Sequence, residues 1–515
     1  MSDVDIAIVG GGISGLYTAW RLSTLPNPPK VAVFESSAKL GGRIDTNSLP
    51  VPAPGASADF GAMRFVPSMK LVSTLLEKLS IQTELFPGIE VQETFLRGVT
   101  VDATSSNLPY KLGPGESNNL GVLFANIING AVPNAFTLTQ QQWRTVTETG
   151  KFKGSELWNW GMQNVAAEFV SNEAFEYLFD AAGLDSGLLS TNAAVGLRCL
   201  TALLPDFANK QVFRPVDGFS SLITALSDKL AACPTCTVNL DSRLLRAGRS
   251  GTSVTLEFAP SQPGTVNQVT ADKVIFAMPR RALELIDMSG LFANQAWGRL
   301  GLMDKLAQVE GIPAFKLCMV YDQPWWQTVV NGTTLRKDGY AVTDLPLRQV
   351  FFGLGVGSTP ESNERVLLAS YADTRSARYW SGQANVSANM PLRGAQGPIK
   401  IAGPGNLTAA IQNQLFQLLH FEGPLPQPLS VGYMDWSADP FGGGWHEWNP
   451  GVNVAAAIPD MRQPIPNTPV YVCGEAYSWF QSWIEGALMS AERLLQDQLQ
   501  IPAADWLPQD YDLGP

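Results

Sequence analysis

The sequence Asp5-Ile6-Ala7-Ile8-Val9-Gly10-Gly11-Gly12-Ile13-Ser14-Gly15-Leu16 runs from an apolar strand through a glycine-rich turn into a helix. Residues 5–9 are a short apolar run, and beyond the turn Ile13, Leu16, Tyr17 and Trp20 recur at helical spacing. Between them Gly10, Gly12 and Gly15 complete a Gly-x-Gly-x-x-Gly pattern. Gly10 permits the tight turn, Gly12 lets a pyrophosphate approach the backbone, and Gly15 lets helix and strand pack closely. The helix N-terminus, with Ser14 in its first turn, offers free N–H groups and a positive dipole end to phosphates. A second buried strand, Val31-Ala32-Val33-Phe34, ends at Glu35, twenty residues beyond Gly15. An acid at that distance takes ribose hydroxyls, so the whole unit reads as a dinucleotide-binding βαβ element.

Composition narrows the rest. Charged residues make up 16% of the 515-residue chain and apolar ones 45%, which describes a well-buried globular protein. The formal net charge of −11 repels phosphate backbones and anionic lipid, against nucleic-acid or membrane partners. No apolar run approaches the roughly 18 residues of a membrane helix. Residues 1–5 show no leader-like pattern, and the five cysteines are an odd number in a long chain; a cytoplasmic location is expected. With only His420 and His446 present, no metal site is expected. Cys233-Pro-Thr-Cys236 follows a helix and precedes a strand, without a second pair to complete a zinc site, and reads as a plain loop.

Leu40-Gly41-Gly42-Arg43-Ile44 follows the acid, with Gly42 allowing close backbone approach and Arg43 supplying a fork of donors for pyrophosphate oxygens. At the other end Pro469–Cys473 reads as a buried strand entering Gly474-Glu475-Ala476, and a helix with an apolar stripe begins near Trp483. These elements resemble the flavin-containing amine oxidase family, which binds FAD, and within it the L-amino-acid oxidases. The resemblance implies an α/β fold: a Rossmann-like FAD-binding domain interleaved with an α+β substrate-binding domain. It places FAD-domain segments at residues 1–68, 212–296 and 464–515, and substrate-domain segments at 69–211 and 297–463. It further assigns Leu244 to the adenine, Glu475 to the ribitol or pyrophosphate region, and Trp483 with Ile484, at a helix N-terminus, to the flavin edge.

The same resemblance supplies the chemistry. Gly61-Ala62-Met63-Arg64 is similar to the element whose arginine binds a substrate α-carboxylate, with Ala62, Met63 and Arg64 also against the cofactor. Lys316, alone among apolar residues in Ala314–Tyr321, resembles the lysine that holds a water at flavin N5. Residues 344–352 resemble the strand that in many L-amino-acid oxidases carries a carboxylate-binding tyrosine; here Phe351 and Phe352 stand instead, which puts that second contact in doubt. Trp445, Ser482 and Trp483 complete the expected pocket, with Lys316 and Trp483 closest to the reaction. The activity implied is hydride transfer from the Cα of a neutral L-amino acid to flavin N5. Hydrolysis then gives a 2-oxo acid and ammonia, and O2 is reduced to hydrogen peroxide. No general base is nominated. A mono-oxygenase decarboxylating the same substrates to amides, an amine oxidase for substrates without a carboxylate, and a non-catalytic flavoprotein stay open, as does a homodimer, since relatives often form dimers.

Overall fold

The computed structural model describes residues 2–515 apart from 52–54, 102–107, 190, 260–266, 293–294, 328, 331–332, 335–338, 358, 388–399, 402–404, 421–424 and 509–510. Two eight-stranded sheets organise it. In the first, Cys236–Asn239, Val31–Phe34, Val4–Val9 and Asn267–Phe276 lie side by side and parallel. The outer edge of Asn267–Phe276 is shared. Its first half pairs antiparallel with Ser253–Phe258 and its last three residues pair parallel with Val470–Val472. The parallel strands read as continuous apolar runs because helices cover both faces of such a sheet.

This register brings distant segments to one edge. Gly10 N donates to Phe34 O at 2.8 Å, Ala277 N to Val9 O at 2.9 Å, and Cys473 N to Phe276 O at 3.1 Å. The carboxyl ends of these strands therefore meet where an open α/β sheet places its ligand. The helix Ile13–Ser23 leaves this edge and packs on the helix Ile484–Leu499. Buried Arg21 and Tyr17 both bond Glu492 across that contact. Leu244–Ser250 and Ser253–Phe258 form an antiparallel hairpin. Cys236, expected in a plain loop, instead opens the strand Cys236–Asn239, with Cys233 in the turn before it.

The second sheet is mostly antiparallel, with Ala314–Val320 central between Val366–Asp373 and Ser430–Asp435. Gln349–Phe352 pairs on the far side of Val366–Asp373. Alternation divides Ala314–Val320 between two cores: Phe315, Leu317 and Met319 face one with Trp326 and Trp380, while Ala314 and Cys318 face the large core shared with the first sheet. Lys316 belongs to the second set by period, so it points at the junction of the two sheets. A third core gathers helices between residues 120 and 208.

Candidate active site

The glycine turn is shaped by contact with the sheet edge. Gly10 adopts φ +114°, and a Cβ there would lie 2.3 Å from Ala277 O. A Cβ on Gly15 would lie 2.0 Å from Gly10 O, so the helix cannot approach with any other residue. Gly12 differs: a Cβ would meet nothing nearer than 3.9 Å, and those atoms belong to Gly41 and Gly42. Its missing side chain is thus not required by packing within the protein. Gly12 pairs with Gly41 as an isolated bridge, while Gly474, 3.8 Å from Ser14 Oγ by the same measure, closes the third side. Glu35 is buried beneath this turn, accepting from Gly11 N and Ser37 N, each at 2.8 Å. Ser242 N bonds Glu35 O at 2.7 Å, and two residues on Leu244 is buried opposite Phe258.

Deeper in, Glu475 is the hub of a charged cluster. It accepts from Arg43 Nη1 at 2.9 Å, His446 N at 2.8 Å, His446 Nδ1 at 3.1 Å and Ser482 N at 2.8 Å. Burial acts to raise its carboxyl, but Arg43, His446 and the Ser482 N–H overcome that and hold it at about 2. Burial also lowers His446, so the imidazole is neutral at pH 7, with Nδ1–H donating to Glu475. Arg43 spends Nη1 on Glu475 and on Gly444 O, and its side chain stays partly exposed. Glu475 thus anchors Arg43 from behind.

Arg43 also fixes the next element. Ala62 N donates to Arg43 O at 3.1 Å, and a Cβ on Gly61 would lie 1.9 Å from that oxygen. Gly61 O and Asp59 O in turn accept from Lys316 Nζ at 2.6 and 3.3 Å. Lys316 is 3% exposed, in a central strand rather than at an edge. Burial lowers its ammonium to about 8, against the pull of Asp59, and Nζ lies 4.7 Å from the Tyr371 ring centroid. Two of its three N–H groups are committed, and the third remains to hold a water or a substrate atom.

Arg64 ends this run with, among the described residues, no protein carboxylate beside it: the Tyr371 and Tyr340 hydroxyls are its polar neighbours and Lys316 a second cation nearby. Its Cζ stands 5.7 Å from the Phe86 ring, 5.4 Å from Phe207 and 5.8 Å from Phe351. Burial lowers its pKa, which for an arginine leaves the charge in place. Trp483 approaches Phe207 at 6.4 Å, and Trp445 stands edge-on to Tyr371 at 6.5 Å. Guanidinium, ammonium and aromatic rings therefore stand together at the junction of the sheets, where a substrate cleft would lie.

A model of the family described as flavin containing amine oxidoreductase matches residues 13–494. The chain belongs to this family. L-amino-acid oxidase 4 of Hebeloma cylindrosporum is 24% identical over 99% of this chain and 84% of that one. Tryptophan 2-monooxygenase of Pseudomonas savastanoi is 25% identical, covering 94% and 87%. A solved structure of a putrescine oxidase triple mutant superposes with a TM-score of 0.68 at 16% identity, covering 97% of this chain and 99% of that one.

As a flavin-dependent oxidoreductase the protein uses FAD, and its residues fit that group. Gly12, Gly42 and Ser14 would face the pyrophosphate, and Glu35 and Leu244 the adenosine half. Arg43, Gly474 and Glu475 would stand along the middle, and Trp483 and Ile484 at the helix start would face the isoalloxazine edge. Ala62, whose N–H bonds Arg43 O, and Met63 would lie beside the same path. One expectation for the pocket changes. Phe352 faces the second core, packed on Trp326 at 6.2 Å, because strand alternation turns it away from Phe351. Ser482 presents an exposed side chain at φ +72°, and its N–H is committed to Glu475. Sequence reading missed Phe86, Phe207, Tyr340, Tyr371 and the His446–Glu475 bond. Each comes from a segment remote in sequence and carries no local motif. Among the described residues no helix is long and apolar enough to cross a membrane, and no group of His, Cys, Asp or Glu is arranged to hold a metal.

Proposed function

We propose that this protein oxidatively deaminates L-amino acids to 2-oxo acids, releasing ammonia and hydrogen peroxide. The observation that carries the reading is Arg64, a half-buried guanidinium with aromatic rings around it and, among the described residues, no protein carboxylate as partner. A guanidinium that substrate closes off from water is desolvated, and a carboxylate binding bidentately offsets that cost. An amine without a carboxylate gives Arg64 nothing to bind. The chemistry FAD supplies when bound is two-electron oxidation of the amine, with O2 as final acceptor.

The chain's own residues position and enclose. Arg64 fixes the carboxylate, Phe86, Phe207 and Phe351 exclude water around it, and Trp445 and Trp483 wall the reacting end. Lys316 holds a water with its remaining N–H. The arrangement uses no histidine base, since His446 is tied to Glu475 on the cofactor side.

Anaerobic titration of the yellow holoenzyme with single L-amino acids tests this. Bleaching near 450 nm (roughly where oxidised flavins absorb), return of colour in air with peroxide and ammonia, and loss of the response in Arg64→Ala are expected. Bleaching only by decarboxylated amines would make Arg64 structural and overturn the reading. The likeness to tryptophan 2-monooxygenase favours a second reading, in which the same substrates give an amide and carbon dioxide; product analysis separates the two.

A further inference from the structure

We infer that Tyr371, turned into the cleft by a β-bulge, makes the second hydrogen bond to the substrate carboxylate beside Arg64. The inference rests on the amino-acid reading of the cleft and adds a contact to it.

The bulge is visible in two registers. Lys316 pairs with Tyr371 and Cys318 with Leu368, so two steps on one strand oppose three on Val366–Asp373. On the other side Gln349 pairs with Tyr371 and Phe351 with Leu368, with the same extra residue. Leu367 and Ala369 face the second core and Leu368 the first. Strict alternation would put Tyr371 with Leu367 and Ala369, away from the cleft. The extra residue reverses the parity, and bulges beside active sites commonly re-aim a side chain in this way.

Re-aimed, the ring lies over Lys316 Nζ at 4.7 Å and edge-on to Trp445 at 6.5 Å, and its hydroxyl is an electrostatic neighbour of Arg64. Ring and hydroxyl thus have separate tasks. The ring packs between Lys316 and Trp445, while the hydroxyl adds a donor beside a guanidinium that three phenylalanine rings surround. Tyr340, the other hydroxyl near Arg64, stacks flat on Phe351 at 5.0 Å and 13° and is the control. Phe351 itself lies at the strand position where the resemblance expects a tyrosine.

The test uses holoenzyme and the variants Tyr371→Phe, Tyr340→Phe and Arg64→Met. Dissociation constants for benzoate and for benzamide are read from the flavin absorbance change, and the limiting rate and half-saturation for L-phenylalanine from anaerobic flavin reduction. Tyr371→Phe keeps the ring and deletes only the hydroxyl. The expected result is about ten-fold or greater weakening of benzoate and of L-phenylalanine half-saturation. Benzamide binding and the limiting reduction rate should move by less than about three-fold, because the lost bond is to a charged group of the ground-state ligand. Equal weakening of benzoate and benzamide, no weakening of either, or the benzoate loss appearing in Tyr340→Phe instead would overturn the inference. If Arg64→Met abolishes benzoate binding while Tyr371→Phe does not affect it, the tyrosine role alone fails. If no L-amino acid reduces the wild-type flavin while amines do, the substrate reading fails and takes the tyrosine role with it.

Discussion

The two ends of the cleft are built in opposite ways. At the nucleotide end the important atoms are backbone: Gly10, Gly12 and Gly15 lie within six residues, and their effect is to let chain approach chain or ligand. At the substrate end the important atoms are side chains, and they come from residues 64, 86, 207, 316, 340, 351, 371, 445 and 483. A backbone cradle needs few partners but leaves no room for a side chain at Gly10 or Gly15. A side-chain cage has room for other side chains at its walls but depends on every register that assembles it.

The largest expected effect tests the cradle. Gly15→Val places a side chain where even a Cβ would sit 2.0 Å from Gly10 O, with backbone on the receiving side. The purified variant should be colourless, with the ratio of flavin to protein absorbance near zero. A yellow Gly15→Val protein would mean that the helix can back away and that the cradle is no stricter than the cage.

Next comes one of the cage's two cations. Arg64→Ala should lower kcat/KM for L-amino acids by about a hundred- to a thousand-fold, the scale of losing a charge-assisted bidentate contact, by steady-state peroxide assay. The flavin content should stay near that of wild type. Parallel loss of flavin would show that the two ends are not separable.

A smaller effect distinguishes the two phenylalanines. Phe352→Tyr buries a hydroxyl among Trp326 and Leu367 and should cost about 1–3 kcal/mol of stability by denaturant unfolding, with KM barely changed. Phe351→Tyr adds its hydroxyl on the Arg64 face and should change KM while costing less stability. The reverse pattern would mean that the strand register differs from the one described.

The smallest effect is pH dependence of stability. Burial, the leading cause in each case, raises Asp59 and Asp373 to about 6 and Glu447 and Glu485 to about 7. A carboxyl with a raised folded-state pKa binds protons more tightly folded than unfolded. Its contribution is therefore full below the unfolded value near 4 and is lost as pH rises through 6 to 7. The thermal midpoint of the holoenzyme should be a few degrees higher at pH 5.5 than at pH 8, and Glu447→Gln should flatten part of that slope. Glu475, held at about 2, contributes nothing in this window.

What could be read beforehand follows the same division. The strand, turn, helix and acid at residues 5–35 are consecutive, so apolar period and glycine spacing expose them. Lys316 was legible because one charge interrupts an apolar strand, and Arg64 because Gly-Ala-Met-Arg is contiguous. Tyr371 was not, since its orientation depends on a bulge that alternation cannot anticipate. Phe352 was misplaced for a related reason: both phenylalanines match the motif position, and only the strand's facing decides between them. Phe207 lies on the helix Ala193–Ala208 and meets Trp483 only through packing.

The sequence by itself determined the dinucleotide turn, the flavin-type Gly-Gly-Arg element and the two cations of the cleft, because each rests on neighbouring residues and short-range geometry. The tertiary structure alone decided which aromatic rings surround Arg64, that Glu475 is the hub joining Arg43 to His446, and which side of a strand Tyr371 occupies. Those outcomes depend on how sheets, helices and one extra residue come into register, and a one-residue change of register moves a side chain to the opposite face.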